Sequence, residues 1–145
     1  MLFWLILAAA TAWLLWYMVA VPGASHRGAL KPLTLDENQV AGDLRKHVAA
    51  IASREHNFFK PAELEAAAQY IEKALAGLGY AVATQRFPSG PSEVRNIEVE
   101  VQGSARASEV VIVGAHYDSV LGAPGANDNG SGVAAVIELA RLFRG

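Results

Sequence analysis

The chain has 145 residues, a formal net charge of -2, 52% hydrophobic residues and no cysteine. That length suits one domain of ordinary size. A near-neutral balance without a basic stripe argues against a nucleic-acid partner, and the missing cysteine excludes disulfides, thiol catalysis and thiolate metal sites, so any metal must be held by His, Asp and Glu.

Met1 to Val21 is uninterrupted and apolar, and no charged side chain occurs from Leu2 to Gly23. Such a run can cross about 30 Å of hydrocarbon as a helix. Trp4 lies near one end and Trp16 and Tyr17 near the other, where aromatic anchors sit at an interface. A buried core helix would show one polar stripe, and this segment has none. Pro22 and Gly23 are expected to stop it. The apolar run is longer than a signal peptide requires, and Pro22 is a poor residue three before a cut at Ala24, so an uncleaved single-pass anchor is favoured. Arg27 and Lys31 follow the segment and no Lys or Arg precedes it, which by the positive-inside rule alone leaves the rest of the chain in the cytoplasm.

The division expected is an anchor over 1–23, a linker over 24–33 and one domain over 34–145. Thr34 and Glu37 form a capping box for a helix to about Ser53, with Val40, Leu44, Val48 and Ile51 on one face. Pro61 suits the first turn of a second helix, with Leu64, Ala68, Ile71, Leu75 and Leu78 as its apolar positions and Gly79 closing it. Three strand-like runs come next. Tyr80 to Phe87 is followed by the turn Pro88-Ser89-Gly90-Pro91. Val94 to Val101 alternates around Ile97, Val99 and Val101. Val110 to Ala115 is continuously apolar, as in a central strand buried on both faces. Val133 to Phe143 returns to helical spacing through Val133, Val136, Ile137 and Ala140. Helices alternating with strands make this an α/β pattern, a mixed sheet flanked by helices. A crossover helix normally leads to another parallel strand, and the sequence stops at Arg144-Gly145, so the architecture reads as unfinished.

The chemistry concentrates between Val110 and Gly132. His116 and Asp118 follow the apolar run, at the strand edge where open α/β sheets place their ligand sites. In an extended chain their side chains share a face. One imidazole nitrogen can then bind a metal while the other N–H is held by a carboxylate. Asp128 comes ten residues after Asp118, among glycines that let the chain turn back towards it. Its two oxygens could each hold one of two metals about 3.5–4 Å apart. A His-x-Asp alone is a weak signal. The glycines are not followed by the Lys of a phosphate-binding loop, nor spaced as a dinucleotide fingerprint. His47 and His56 are expected at the surface, His26 in the linker, and Glu138 facing solvent.

The combination of an apolar strand ending in Gly-Ala-His-Tyr-Asp-Ser, then Pro-Gly-Ala-Asn-Asp-Asn-Gly-Ser-Gly, then an apolar helix resembles the M28 family of zinc peptidases. Arg54-Glu55-His56-Asn57, the Glu-rich helix from Ala62 to Leu78, Gly79-Tyr80 and Arg95-Asn96 add to the resemblance, which covers roughly residues 40 to 145. It implies a zinc-exopeptidase-like fold and an aminopeptidase acting on peptides or small proteins with two zinc ions (Zn2+). His116 would bind one zinc, Asp128 would bridge both, and the catalytic Asp118 would orient the histidine. It further implies a domain outside the cytoplasm, periplasmic or extracellular, against the charge rule. The family pattern continues with a Glu-Glu pair, an acidic residue and a histidine beyond Gly145, so these 145 residues alone are expected to be inactive and poorly folded. A carboxypeptidase, a glutaminyl cyclase-like enzyme and a tethered, catalytically dead binding module are the rival readings.

Overall fold

The structure, a computed structural model, describes residues 1–90 and 92–144; Pro91 and Gly145, which the sequence reading put in a turn and at the last position, lie outside the described residues. It divides into two compact units, Met1–Pro32 and Leu33–Gly145.

The first unit is helix α1, Leu2–Val19, followed by irregular chain. Its 18 residues include no acid or base and none is buried within the unit. At 1.5 Å per residue it spans about 27 Å, so it is long and apolar enough to cross a membrane. The helix stops two residues before the expected end. Pro22 disfavours helical backbone at Val21, and Ala20 is already extended, its N–H closing on the Trp16 carbonyl at 2.8 Å.

In the second unit, helix α2 (Leu35–Ile51) starts at the expected capping box. Glu37 N–H donates to Thr34 Oγ1 at 3.2 Å, and Thr34 N–H to Glu37 Oε2 at 2.7 Å. Helix α3 (Pro61–Gly77) begins with Pro61 in its first turn, and just past its cap Gly79, with φ of +86°, lets Tyr80 N–H reach back to the Leu75 carbonyl. Helix α4 is Ser131–Phe143. Ile51 of α2, Ile71 and Leu75 of α3, and Val133, Ile137 and Ala140 of α4 form the core. Tyr80, Ile97 and Tyr117 pack against it.

Strands β1 (Ala83–Ser89) and β2 (Ser92–Glu98) form an antiparallel hairpin with Ala83 opposite Glu98 and Ser89 opposite Ser92. The side chain of Arg95 turns from β2 towards α3 and is 6% exposed. Its Nη1 donates to Glu65 Oε2 at 2.6 Å, its Nη2 to Glu65 Oε1 at 3.1 Å, and its Nε to Glu72 Oε1 at 2.6 Å.

Four expectations are corrected. The sheet among the described residues is this two-stranded hairpin, not a mixed sheet. Val110 to Ala115 is not a buried central strand: Val110, Val111 and Ile112 are 82–89% exposed. A strand buried on both faces needs ladder partners for its backbone, and β1 and β2 pair with each other. Glu138 is buried, not solvent-facing, because it stands one turn after Ala134 on the side of α4 facing α2. Its carboxylate accepts from Arg141 Nε at 2.9 Å and lies 3.7 Å from His47 Nε2. His56 is 2% exposed and His47 is half-buried, with its Nδ1 2.8 Å from the Tyr70 hydroxyl.

Ile137 is 2% exposed and Leu142 57%. Ile137→Ala should therefore lower unfolding stability by about 2–4 kcal/mol, while Leu142→Ala should stay within about 0.5 kcal/mol. Equal losses in urea titrations would contradict this core.

Burial pushes the His47 pKa down, against the pull of Glu138 and Asp43 and in the same sense as Lys46. The unfolded chain thus binds a proton at this site more readily than the folded one. The contribution is complete above the unfolded value of about 6.5 and is lost as pH falls through it towards the lower folded value. The urea midpoint should drop from pH 7.5 to 5.5 more steeply in the wild type than in His47→Gln (about two pH units spanning that value), and parallel pH profiles would disprove it.

Candidate metal centre

The chain re-enters the folded unit at Ala115. Tyr117 turns inward, and its hydroxyl donates to the Arg95 carbonyl at 2.8 Å. In extended backbone its neighbours project the other way, and His116 and Asp118 are accordingly exposed. The next segment is held by the loop between α2 and α3. Ser119 N–H donates to the His56 carbonyl at 2.8 Å, and His56 N–H to Ser119 Oγ at 3.0 Å. Gly122 N–H donates to Glu55 Oε1 at 3.0 Å, which also accepts from Asn57 Nδ2 at 2.9 Å.

Gly125 then takes φ +70°, and a Cβ there would come within 2.8 Å of the Ser119 Cβ and 3.0 Å of the Asp128 carbonyl oxygen. Gly130 N–H closes on the Gly125 carbonyl at 2.8 Å. Within this turn Asp128 has φ -125° and ψ 91°, extended values that carry its side chain off the helical path. The Asp128–Asn129 peptide bond is cis. Asn129 Oδ1 accepts from Gly132 N–H at 3.1 Å at the start of α4.

These supports bring the three sequence-predicted residues together. His116 Nδ1 is 3.1 Å from Asp118 Oδ1 and 3.2 Å from the Asp118 carbonyl, and its Nε2 is 3.0 Å from Asp128 Oδ1. Slight desolvation lowers the imidazole pKa, but hydrogen bonds to the Asp118 carbonyl and to both carboxylates outweigh it and hold the value above its ordinary range. With the Nδ1 proton directed at Asp118, Nε2 is the nitrogen available to a metal. An imidazole nitrogen beside a two-oxygen carboxylate is a donor set that zinc accepts. The fit is one of kind and not of number: among the described residues no group of three or more His, Asp or Glu could hold a metal ion together.

Sequence reasoning missed the supporting residues. Glu55 and His56 lie in a loop without periodicity, 67 and 63 positions before their partners Gly122 and Ser119. Only the cluster of polar residues Arg54-Glu55-His56-Asn57 between two helices hinted at a role.

Residues 96–145 match the sequence profile of peptidase family M28. An uncharacterized protein of Escherichia coli, YfbL, is 38% identical over 88 residues, 55% of this chain and 27% of its own. A probable zinc metalloprotease of Pyricularia oryzae is 37% identical over 73 residues, 45% of this chain and 14% of its own. A probable lipoprotein aminopeptidase of Mycobacterium tuberculosis, LpqL, is 52% identical over 58 residues, 40% of this chain and 10% of its own. No solved structure matches significantly. By this profile match and these relatives the chain is similar to peptidase family M28 over its last third. It spans about a quarter or less of the length of these three curated relatives.

Two glycines separate the contributions to the loop. Gly122→Ala meets open space and carries only the backbone cost of φ +84°, about 1–2 kcal/mol. Gly125→Ala carries that cost and also drives a methyl into Ser119, so its loss of stability should be clearly larger. Equal denaturation midpoints for the two variants would show that the close approach at Gly125 is not required.

Proposed function

We propose that this chain contributes to a metal-dependent aminopeptidase that uses two zinc ions and acts on the amino-terminal bond of peptides or small proteins. The observation that carries the reading is the three-residue arrangement, in which Asp118 grips one nitrogen of His116 and Asp128 faces the other. His116 would ligate through Nε2, and Asp128 would offer one oxygen to each ion. Bound zinc supplies Lewis acidity and a water deprotonated at neutral pH. Asp118 does not ligate; it keeps the proton at Nδ1 and fixes the ring, as carboxylates behind ligating histidines do. Catalytic zinc sites use three protein ligands, and His116 and Asp128 are two. Glu138 is buried against Arg141 and does not serve as the general base. The remaining ligands and the base therefore belong to other residues of the complete domain, and these 145 residues alone should be inactive. That domain would have the mixed sheet of a zinc-exopeptidase fold, with Val110 to Ala115 as one of its strands.

Helix α1 fits the same reading as an uncleaved anchor carried through the membrane by residues 2–22, with the catalytic domain periplasmic or extracellular. The lipoprotein aminopeptidase among the relatives supports an envelope location.

The test is the zinc content and leucine p-nitroanilide hydrolysis of the native protein purified from membranes. His116→Ala and Asp128→Ala should abolish both zinc retention and turnover. Asp118→Asn should keep the fold and weaken zinc binding roughly 10–100-fold. Full zinc content and activity in His116→Ala would sink the proposal.

A further inference from the structure

The loop from Ser119 to Gly130 carries Asp128 away from His116 and back, and its first part is tied to the loop between α2 and α3. Ser119 and His56 exchange two hydrogen bonds, at 2.8 and 3.0 Å, and both residues are buried. Three residues on, the Glu55 carboxylate takes the Gly122 N–H at 3.0 Å and is braced by Asn57 Nδ2 at 2.9 Å. Asn57 is itself 4% exposed, and its Oδ1 accepts from Phe59 N–H at 3.0 Å. The Gly122 N–H and then the Asn57 amide hold the Glu55 carboxyl below the usual carboxylate range.

Two further contacts carry this restraint towards Asp128. Ser119 abuts Gly125, where no Cβ would fit, and Gly125 closes on Gly130 across the turn that contains Asp128. An anchored Gly122 therefore leaves the return path short. Without that anchor the loop would be held only at Ser119, and the position of the Asp128 carboxylate relative to His116 Nε2 would spread.

We propose that Glu55 is a positioning residue for the metal centre: its carboxylate, braced by Asn57, clamps Gly122 and so fixes the loop that returns Asp128 to His116. Glu55 bonds to none of the three site residues; it acts through the Gly122 backbone. The inference rests on the proposed function, since it presumes that His116 and Asp128 hold zinc. What matters is an acceptor oxygen at this place, not a negative charge. An amide in the same position can take both hydrogen bonds, and a methyl can take neither.

The experiment compares the native protein with Glu55→Ala and Glu55→Gln. Zinc affinity is measured by competition with a chromophoric chelator, and the visible spectrum is recorded after replacement of zinc by cobalt. Glu55→Ala should bind zinc up to about 10-fold more weakly, the low end of the loss when a direct partner of a metal ligand is removed, since Glu55 acts one step further out. Its cobalt bands should also broaden or shift. Glu55→Gln should recover most of the affinity and the wild-type spectrum. Wild-type affinity in Glu55→Ala would overturn the proposal, and so would a Glu55→Gln variant as weak as Glu55→Ala. The two readings fail differently. A wild-type protein whose zinc affinity is unchanged by His116→Ala removes the metal centre itself, whereas a centre sensitive to His116 but indifferent to Glu55 removes only the clamp.

Discussion

The guanidinium of Arg95 is the point on which the hairpin and the site both depend. A two-stranded hairpin alone is marginal in water, and among the described residues β2 has only β1 as a ladder partner. What joins it to the helices, beside the packing of Ile97 on the apolar core, is one enclosed cation, 6% exposed, facing Glu65 and Glu72 of α3. An ion so placed without partners would cost several kcal/mol. Three charge-assisted hydrogen bonds offset that cost and hold the guanidinium pKa above its ordinary value, Glu65 contributing most. The glutamates keep contact with water, at 48% and 27% exposure. Their desolvation is therefore partial, and the attraction is not cancelled by it. The carbonyl of the same Arg95 receives the Tyr117 hydroxyl. Pinning Tyr117 inward decides which way His116 and Asp118 point. The acidic face of α3 thus sets the direction of a histidine through Arg95 and Tyr117.

Features governed by near neighbours in sequence were legible. The capping box at Thr34, the proline start of α3, its glycine end at Gly79 and the apolar stripes of α2 and α3 all rest on contacts within about five residues. The approach of Asp128 to His116 was also readable, because a His-x-Asp and a glycine-flanked aspartate ten residues on need only a short return loop. Legibility ended where the partner is remote. A continuous apolar run such as Val110 to Ala115 states what a strand could bury, but not which strands will cover it. The stripe of α4 does not reveal whether Glu138 at its margin faces water or another helix, and here it meets His47 of α2. The loop residues Glu55 and His56 have no period at all, and their role appears only through backbone groups more than sixty positions away.

The energetics of the two charged clusters differ in kind. Arg95 is enclosed, and its neighbours would lose stability with it. His116, Asp118 and Asp128 are 53%, 62% and 77% exposed at the side chain. Ion pairs so open to water contribute about 0–1 kcal/mol each and are screened by salt. None of the three side chains belongs to the apolar core around Ile137. Yet the backbone around them is tightly specified, by Tyr117 on Arg95, by Ser119 on His56 and by a glycine at 125 that admits no side chain. Stability does not call for such investment in presenting three water-exposed groups. A ligand that binds between an imidazole and a carboxylate does, because its affinity depends on donors already placed. The fold therefore concentrates its order in the backbone beneath these three residues and leaves their polar tips accessible, as the proposed metal centre would require.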